Sequence, residues 1–312
     1  MRWRSPRVGL AALARPARPR AGRARLGRRT VYILPTREGL LLAPALAALL
    51  LLGLHYNNNA ALAFTFLLAS VAVVAILHTY RELAGVGIAA EPAGEAFAGG
   101  RQRFRLRLDG GGRPRRVRVA AGGVAAEVAV PAEGEAAAVL AVPAPRRGML
   151  ALGRVRLETT RPLGLFRAWG YAETGAEAVV YPRPAPPAGL PPGGAGEAEG
   201  GADAEGGGGA FHDLGRWRDG ESLRRVHWPL AARGRGLHLK RFAAPAGGTL
   251  WLTWEAASGD AEARLARLCR WVLDAEAAGL AYGLALPGAR IPPGRGAVHR
   301  RRCLERLGRW PR

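Results

Sequence analysis

The residues best able to do chemistry are crowded into one segment, FHDLGRWRDGESLRRVHWPLAARGRGLHLKRF, from Phe211 to Phe242. It holds His212, Asp213, Asp219, His227 and His238, which by type could transfer protons or ligate a metal. Their spacing matches neither one face of a helix nor a recurrent ligand pattern. Trp217 and Trp228 stand among charges of both signs, an arrangement suited to ion pairs packed under aromatic rings. The segment therefore reads as a structural knot or a partner-binding surface. The alternative is a membrane-proximal hydrolase or transferase with Asp213, Asp219 and His227 as its acid and base groups.

Other catalytic signatures are missing from the sequence. The single lysine, Lys240, lies in GLHLKRF and not in a phosphate-binding GxxxxGK[ST] loop. There is no HExxH or CxxC, and neither Ser222 nor Ser258 sits in a GxSxG elbow. Cys269 and Cys303 lack zinc-site spacing and read as buried small apolar residues in a reducing compartment. No metal or cofactor is expected. The net charge of +22 would ordinarily point to polyanions, but the excess of Arg, Ala, Gly and Pro is the codon bias of a GC-rich genome. Motifs for specific nucleic-acid binding are lacking.

The elements that must position this segment begin with two charge-free runs, residues 39–54 and 60–77, separated by His55, Tyr56 and Asn57 to Asn59. Each approaches the roughly 20 residues a spanning helix needs, which predicts a transmembrane hairpin over 37–80. Eleven arginines precede the first run and Arg81 follows the second, with none in the turn. The positive-inside rule then places both ends of the hairpin in the cytoplasm, giving a bacterial inner-membrane protein in contact with membrane lipid. Residues 1–36, rich in Arg and Pro, are expected to be a disordered tail near anionic head groups.

From 85 to 183, runs such as RFRLRLDGGG, RRVRVAAGG and LGRVRLETT alternate apolar with polar residues between glycine clusters. That pattern predicts an antiparallel β-sandwich-like domain with its arginines on the wet face. Phe104 is the one aromatic in these runs, so a stacking surface for RNA is not expected. Residues 184–210 read as a Pro/Gly-rich linker or loop. Within 211–312, a strand at Leu250 to Trp254, a helix capped by Asp260 with the stripe Leu265, Leu268, Cys269 and Val272, and a strand at Leu280 to Leu286 form a βαβ unit. A short basic helix packed by Leu304 and Leu307 follows. The fold class expected is a membrane-anchored α+β protein.

The 211–242 segment resembles the signature of the domain-of-unknown-function 58 family. The matching positions are Phe211, Leu214, Arg216, Trp217, Asp219, Gly220, Arg224, Arg225, His227, Trp228, Ala232, Arg233 and Phe242. RPLGLFRAW from Arg161 to Trp169, YPRP from Tyr181 to Pro184, and HYNNN in the hairpin turn are similar to further family elements. The chain departs from the pattern in having Asp219-Gly220 in the reverse order and Pro229 in place of a lysine. The resemblance implies a MoxR-type AAA ATPase as partner, together with other membrane proteins. It also implies a degenerate von Willebrand factor A-like C-terminal part, in which Glu255 and Ser258 stand where a metal-binding version carries Asp-x-Ser-x-Ser. The resulting expectation is a membrane-tethered adaptor or assembly factor without catalytic activity, whose signature loop centres on Arg216, Trp217, Asp219, Gly220, Arg224, Arg225, His227, Trp228 and Arg233.

Overall fold

Between Gly100 and Asp109, Gln102, Phe104, Leu106 and Leu108 are buried while Arg103, Arg105 and Arg107 are exposed, because successive side chains of a strand point to opposite faces. The computed structural model describes residues 15–20, 22–191, 211–216, 238–242 and 250–311. The chain folds as two units that divide between Tyr181 and Pro182.

In chain order the first unit comprises β1 (Pro19–Arg20), β2 (Arg23–Arg25), β3 (Val31–Pro35), α1 (Arg37–His55) and α2 (Asn59–Leu83). There follow β4 (Gly87–Ala93), β5 (Gly100–Asp109), β6 (Arg115–Ala121), β7 (Val124–Val130), β8 (Glu135–Ala144) and β9 (Gly148–Ala151). β10 (Arg154–Thr159), β11 (Phe166–Glu173) and β12 (Glu177–Val180) complete it. Two five-stranded antiparallel sheets form, ordered β1-β2-β4-β5-β8 and β3-β11-β10-β6-β7. Phe104, Leu106, Leu108 and Leu140 from the first sheet share one core with Val117, Val119, Val155 and Leu157 from the second. β9 and β12 pair separately.

Residues 15–36 correct the expectation of a disordered tail, since β1 and β2 extend the first sheet and β3 pairs with β11 in the second. The β domain is thus built from chain on both sides of the hairpin. Burial supplies one reason, since Ala24 and Leu26 belong to the sandwich core, and ion pairs add to it. Asp109 on β5 reaches across β4 to Arg23 and Arg25, at 3.1 Å each, and Arg23 also pairs with Glu135. The bare backbone of Gly87 makes room for this, because a Cβ there would lie 2.0 Å from the Asp109 carboxylate. Residues 1–14 lie outside the described residues.

α1 and α2 are each long and apolar enough to cross a membrane. Side chains such as Leu41 and Phe66 are 71% and 61% exposed, a surface that water would not tolerate over such an area. Inside the spans, the Thr65 and Ser70 hydroxyls donate to the carbonyls of Ala61 and Phe66 at 2.8 Å each, so they need no water. These helices give the protein a membrane-spanning region. In the turn, Asn57 adopts a left-handed φ of 51° and the Asn58 side chain accepts from the Ala61 N–H to cap α2. α2 continues past the expected limit of residue 80 to Leu83, which belongs to the sandwich core.

The second unit contains a backbone ladder of β13 (Phe211–Arg216) with β14 (His238–Phe242). Beyond it lie β15 (Leu250–Thr253), α3 (Ala261–Ala277), β16 (Tyr282–Leu286), β17 (Ala289–Gly294) and α4 (Ala297–Gly308). β15 and β16 are parallel, joined through α3, and β17 adds antiparallel to β16. The Asp260 carboxylate caps α3 by accepting from the Ala263 N–H at 2.7 Å, and Leu265, Leu268, Cys269 and Val272 are all buried.

The start of the proline-rich stretch is strapped along α3, which differs from a free linker. The Ala185 N–H donates to Ala266 O, while Arg267, Cys269 and Trp271 donate to the carbonyls of Pro186, Pro182 and Gly189. Proline removes donors but leaves every carbonyl available, and side chains of α3 use them. Residues 192–210 lie outside the described residues.

The alternation makes a sharp prediction for β5. Phe104→Ala should lower unfolding free energy by about 3–5 kcal/mol, whereas Arg103→Ala one position away should change it by less than about 0.5 kcal/mol. Denaturant titration of the detergent-solubilised protein followed by tryptophan fluorescence measures both.

Candidate functional site

The best-built polar arrangement among the described residues lies where the hairpin enters the sandwich. Thr36, between β3 and the first apolar turn, is the N-cap of α1, and its hydroxyl oxygen accepts from the Gly39 N–H at 3.2 Å. The same hydroxyl donates to Gly164 O at 2.6 Å, with Leu165 O at 3.0 Å, and the Thr36 N–H donates to Leu165 O at 2.9 Å. The loop of the RPLGLF motif is therefore the seat of the first membrane helix. A Cβ on Gly39 would lie 2.1 Å from Leu165 O, so only glycine lets this backbone approach so closely.

The other helix end is held by Arg115. This arginine falls in the inward phase of β6 with Val117 and Val119, and it is buried. Its Nη1 lies 2.9, 3.0 and 2.7 Å from the carbonyl oxygens of Arg81, Glu82 and Ala84, the carbonyls an α-helix leaves unpaired at its C-terminus. A cation also complements the negative end of the helix dipole. Burial pulls the guanidinium below its ordinary pKa, opposed by the Glu82 charge, and the side chain stays charged as arginine does in proteins.

Two adjoining clefts open beside this junction. One, of about 570 Å³, is lined by Glu82, Pro114, Arg115, Arg116, Ala129, Val130, Pro131, Arg161 and Pro162. The other, of about 390 Å³, shares Arg116, Ala129 and Arg161 with it and adds Arg118, Glu127, Glu158 and Thr159. Glu158 is buried and paired with Arg156 at 2.6 Å and Arg118 at 3.8 Å.

Of the residues singled out from the sequence, Arg216 ends β13 opposite His238, and Asp213 lies opposite Arg241 beside an irregularity in the ladder. Trp217, Asp219, Gly220, Arg224, Arg225, His227, Trp228 and Arg233 lie outside the described residues. Among the described residues no group of three or more His, Cys, Asp or Glu could hold a metal ion. Sequence reasoning missed Thr36 and Arg115. Both left a signal: Thr36 precedes an apolar run as N-caps do, and Arg115 keeps the phase of the buried valines.

A second cluster joins Glu276, Tyr282, His299 and Cys303. The Tyr282 hydroxyl donates to Glu276 at 3.2 Å, and His299 Nε2 lies 2.7 Å from Tyr282 O. A carbonyl can only accept, so Nε2 carries the proton. It then has no lone pair with which to deprotonate Cys303, whose Sγ is 3.6 Å away. Burial pushes the Cys303 thiol up to about 12. The pair thus lacks the thiolate of a Cys–His nucleophile.

Fold and junction together define a membrane-anchored α+β protein. Comparison with protein family models, curated proteins and solved structures returned no match.

Arg115→Ala should remove about 3 kcal/mol of stability by stranding helix-end carbonyls, and Thr36→Val about 1 kcal/mol, both read as lowered unfolding midpoints in detergent. Cys303 should resist iodoacetamide at pH 8 in the folded protein and react once the protein is denatured. Its thiol ionises near pH 9 when unfolded and near 12 when folded, so its contribution to stability is complete below pH 9 and is lost as pH rises from 9 to 12.

Proposed function

We propose that the protein is a membrane-tethered adaptor or assembly factor of a bacterial inner membrane, with both termini cytoplasmic and with no catalytic activity of its own. The observation that carries this reading is the double anchorage of the hairpin, through Thr36 on Gly164 and Leu165 and through Arg115 on the end of α2. A domain held at both helix ends is fixed in height and orientation at the bilayer. That property serves docking of a partner more than it serves turnover of a diffusing substrate. The arginine-rich flanks of the hairpin support the cytoplasmic orientation.

The partner we propose is a MoxR-type AAA ATPase, on the resemblance of the 211–242 segment to the domain-of-unknown-function 58 signature and of the C-terminal part to a degenerate von Willebrand factor A fold. In this reading Arg216, Trp217, Asp219, Arg224, Arg225, His227, Trp228 and Arg233 form the contact loop or hold it in shape.

A tagged, crosslinked, detergent-solubilised protein should bring down an AAA ATPase in an ATP-sensitive manner, and Arg233→Ala should weaken the capture at least tenfold. Recovery of the protein without an ATPase, or capture indifferent to both ATP and Arg233, contradicts the proposal. Reporter fusions check orientation: a C-terminal alkaline phosphatase should be inactive and a C-terminal fluorescent protein bright.

A further inference from the structure

We propose that the cleft of about 570 Å³ bounded by Arg116 and Arg161 binds the phosphate of one anionic lipid head group, and so couples the sandwich to the lipid around the hairpin as well as to the hairpin itself.

Three observations converge on this. The first is depth. Glu82, in the wall of the cleft, lies five residues beyond Leu77, a large apolar side chain of α2 that is 58% exposed. Five residues are about 7.5 Å of helix, and the polar head-group layer is about 5–7.5 Å thick on each side of the hydrocarbon. Glu82 therefore lies at the outer edge of the head-group layer, which brings the cleft within reach of lipid phosphates.

The second is charge. Arg115, Arg116 and Arg161 line the cleft against the single carboxylate of Glu82. Exposed Arg81 and Arg113 adjoin lining residues Glu82 and Pro114 in sequence. The neighbouring carboxylate Glu158 is already matched by Arg156 and Arg118.

The third is availability. Arg115 is engaged with the helix carbonyls, but the exposed side chains of Arg116 and Arg161 make no hydrogen bond or ion pair among the described residues. Elsewhere on the same domain Arg23, Arg25, Arg105, Arg107 and Arg154 are paired with carboxylates. Two unpaired guanidinium forks at one cleft suit a phosphate, which accepts bidentate hydrogen bonds from arginine, and basic pockets at helix ends are a recurrent way of holding anionic head groups. The inference rests on the hairpin spanning a bilayer, which resistance to alkaline carbonate extraction establishes independently of lipid choice.

The test is native mass spectrometry of the full chain in a neutral detergent, titrated separately with phosphatidylglycerol, phosphatidylcholine and inorganic phosphate. We expect one saturable phosphatidylglycerol adduct, at least tenfold weaker in the Arg116→Ala/Arg161→Ala double variant. It should be within twofold of wild type in Arg101→Ala/Arg103→Ala, which removes the same charge from the start of β5, a strand that does not line the cleft. Four results overturn the proposal. They are no saturable adduct, equal binding of phosphatidylcholine, equal weakening by both double variants, or inorganic phosphate binding as tightly as the lipid. The last would make the cleft a site for a free anion.

Discussion

The contact on which the membrane-anchored unit depends is the guanidinium of Arg115 against the last carbonyls of α2. An α-helix leaving a bilayer faces a specific difficulty, since its terminal carbonyls must find donors just where hydrocarbon gives way to protein. Here the donor comes from inside the β-sandwich, on the face that otherwise carries valines. The arrangement buries a charge, which is costly alone, and offsets that cost with three acceptors and a helix dipole. Thr36 solves the complementary problem at the start of α1, where the hydroxyl serves an N–H of the helix and a carbonyl of the β10–β11 loop at once.

With both ends fixed, the position of the hairpin within the β domain becomes intelligible. α1 and α2 form an insertion between β3 and β4, and the strands before the insertion complete both sheets. β2 is held on the first sheet by its ladder with β4, by the burial of Ala24 and Leu26, and by the pairing of Arg23 and Arg25 with Asp109. Some of the arginine excess near the N-terminus therefore has a structural use in the described residues, in addition to its effect on membrane orientation.

Much of this was legible in the sequence because it rests on period and composition. The two apolar runs, the alternation around Phe104, and the capped helix between two short apolar strands each carry their signal within about ten residues. β1 and β2 were not legible, because strands of two and three residues made of Pro, Ala and Arg have too few apolar positions to show a period. Their pairing depends on Asp109 and Glu135, which are about a hundred residues away along the chain. The part of the strap from Pro184 to Gly189 reads as a linker or loop for a related reason: a proline-rich stretch forms no regular element, and its attachment is written in the side chains of α3. The candidate site divides in the same way. Residue types and a family resemblance pointed to 211–242, where the described backbone places Arg216 opposite His238. The polar junction at the membrane left only a local trace, the N-cap position of Thr36 and the inward phase of Arg115, while the partners of both residues lie far along the chain.

The central claim is that the sandwich and the hairpin move as one body because Arg115 and Thr36 lock both helix ends. Cys269 and Cys303 are buried, so spin labels can be directed to introduced cysteines at Leu51 in α1 and Arg103 in β5, both of them exposed. Pulsed electron resonance distances between these labels in nanodiscs test the claim most directly. A single narrow distribution that broadens in Arg115→Ala is the predicted result. A distribution already broad in the wild-type protein, or one unchanged by Arg115→Ala, would contradict it.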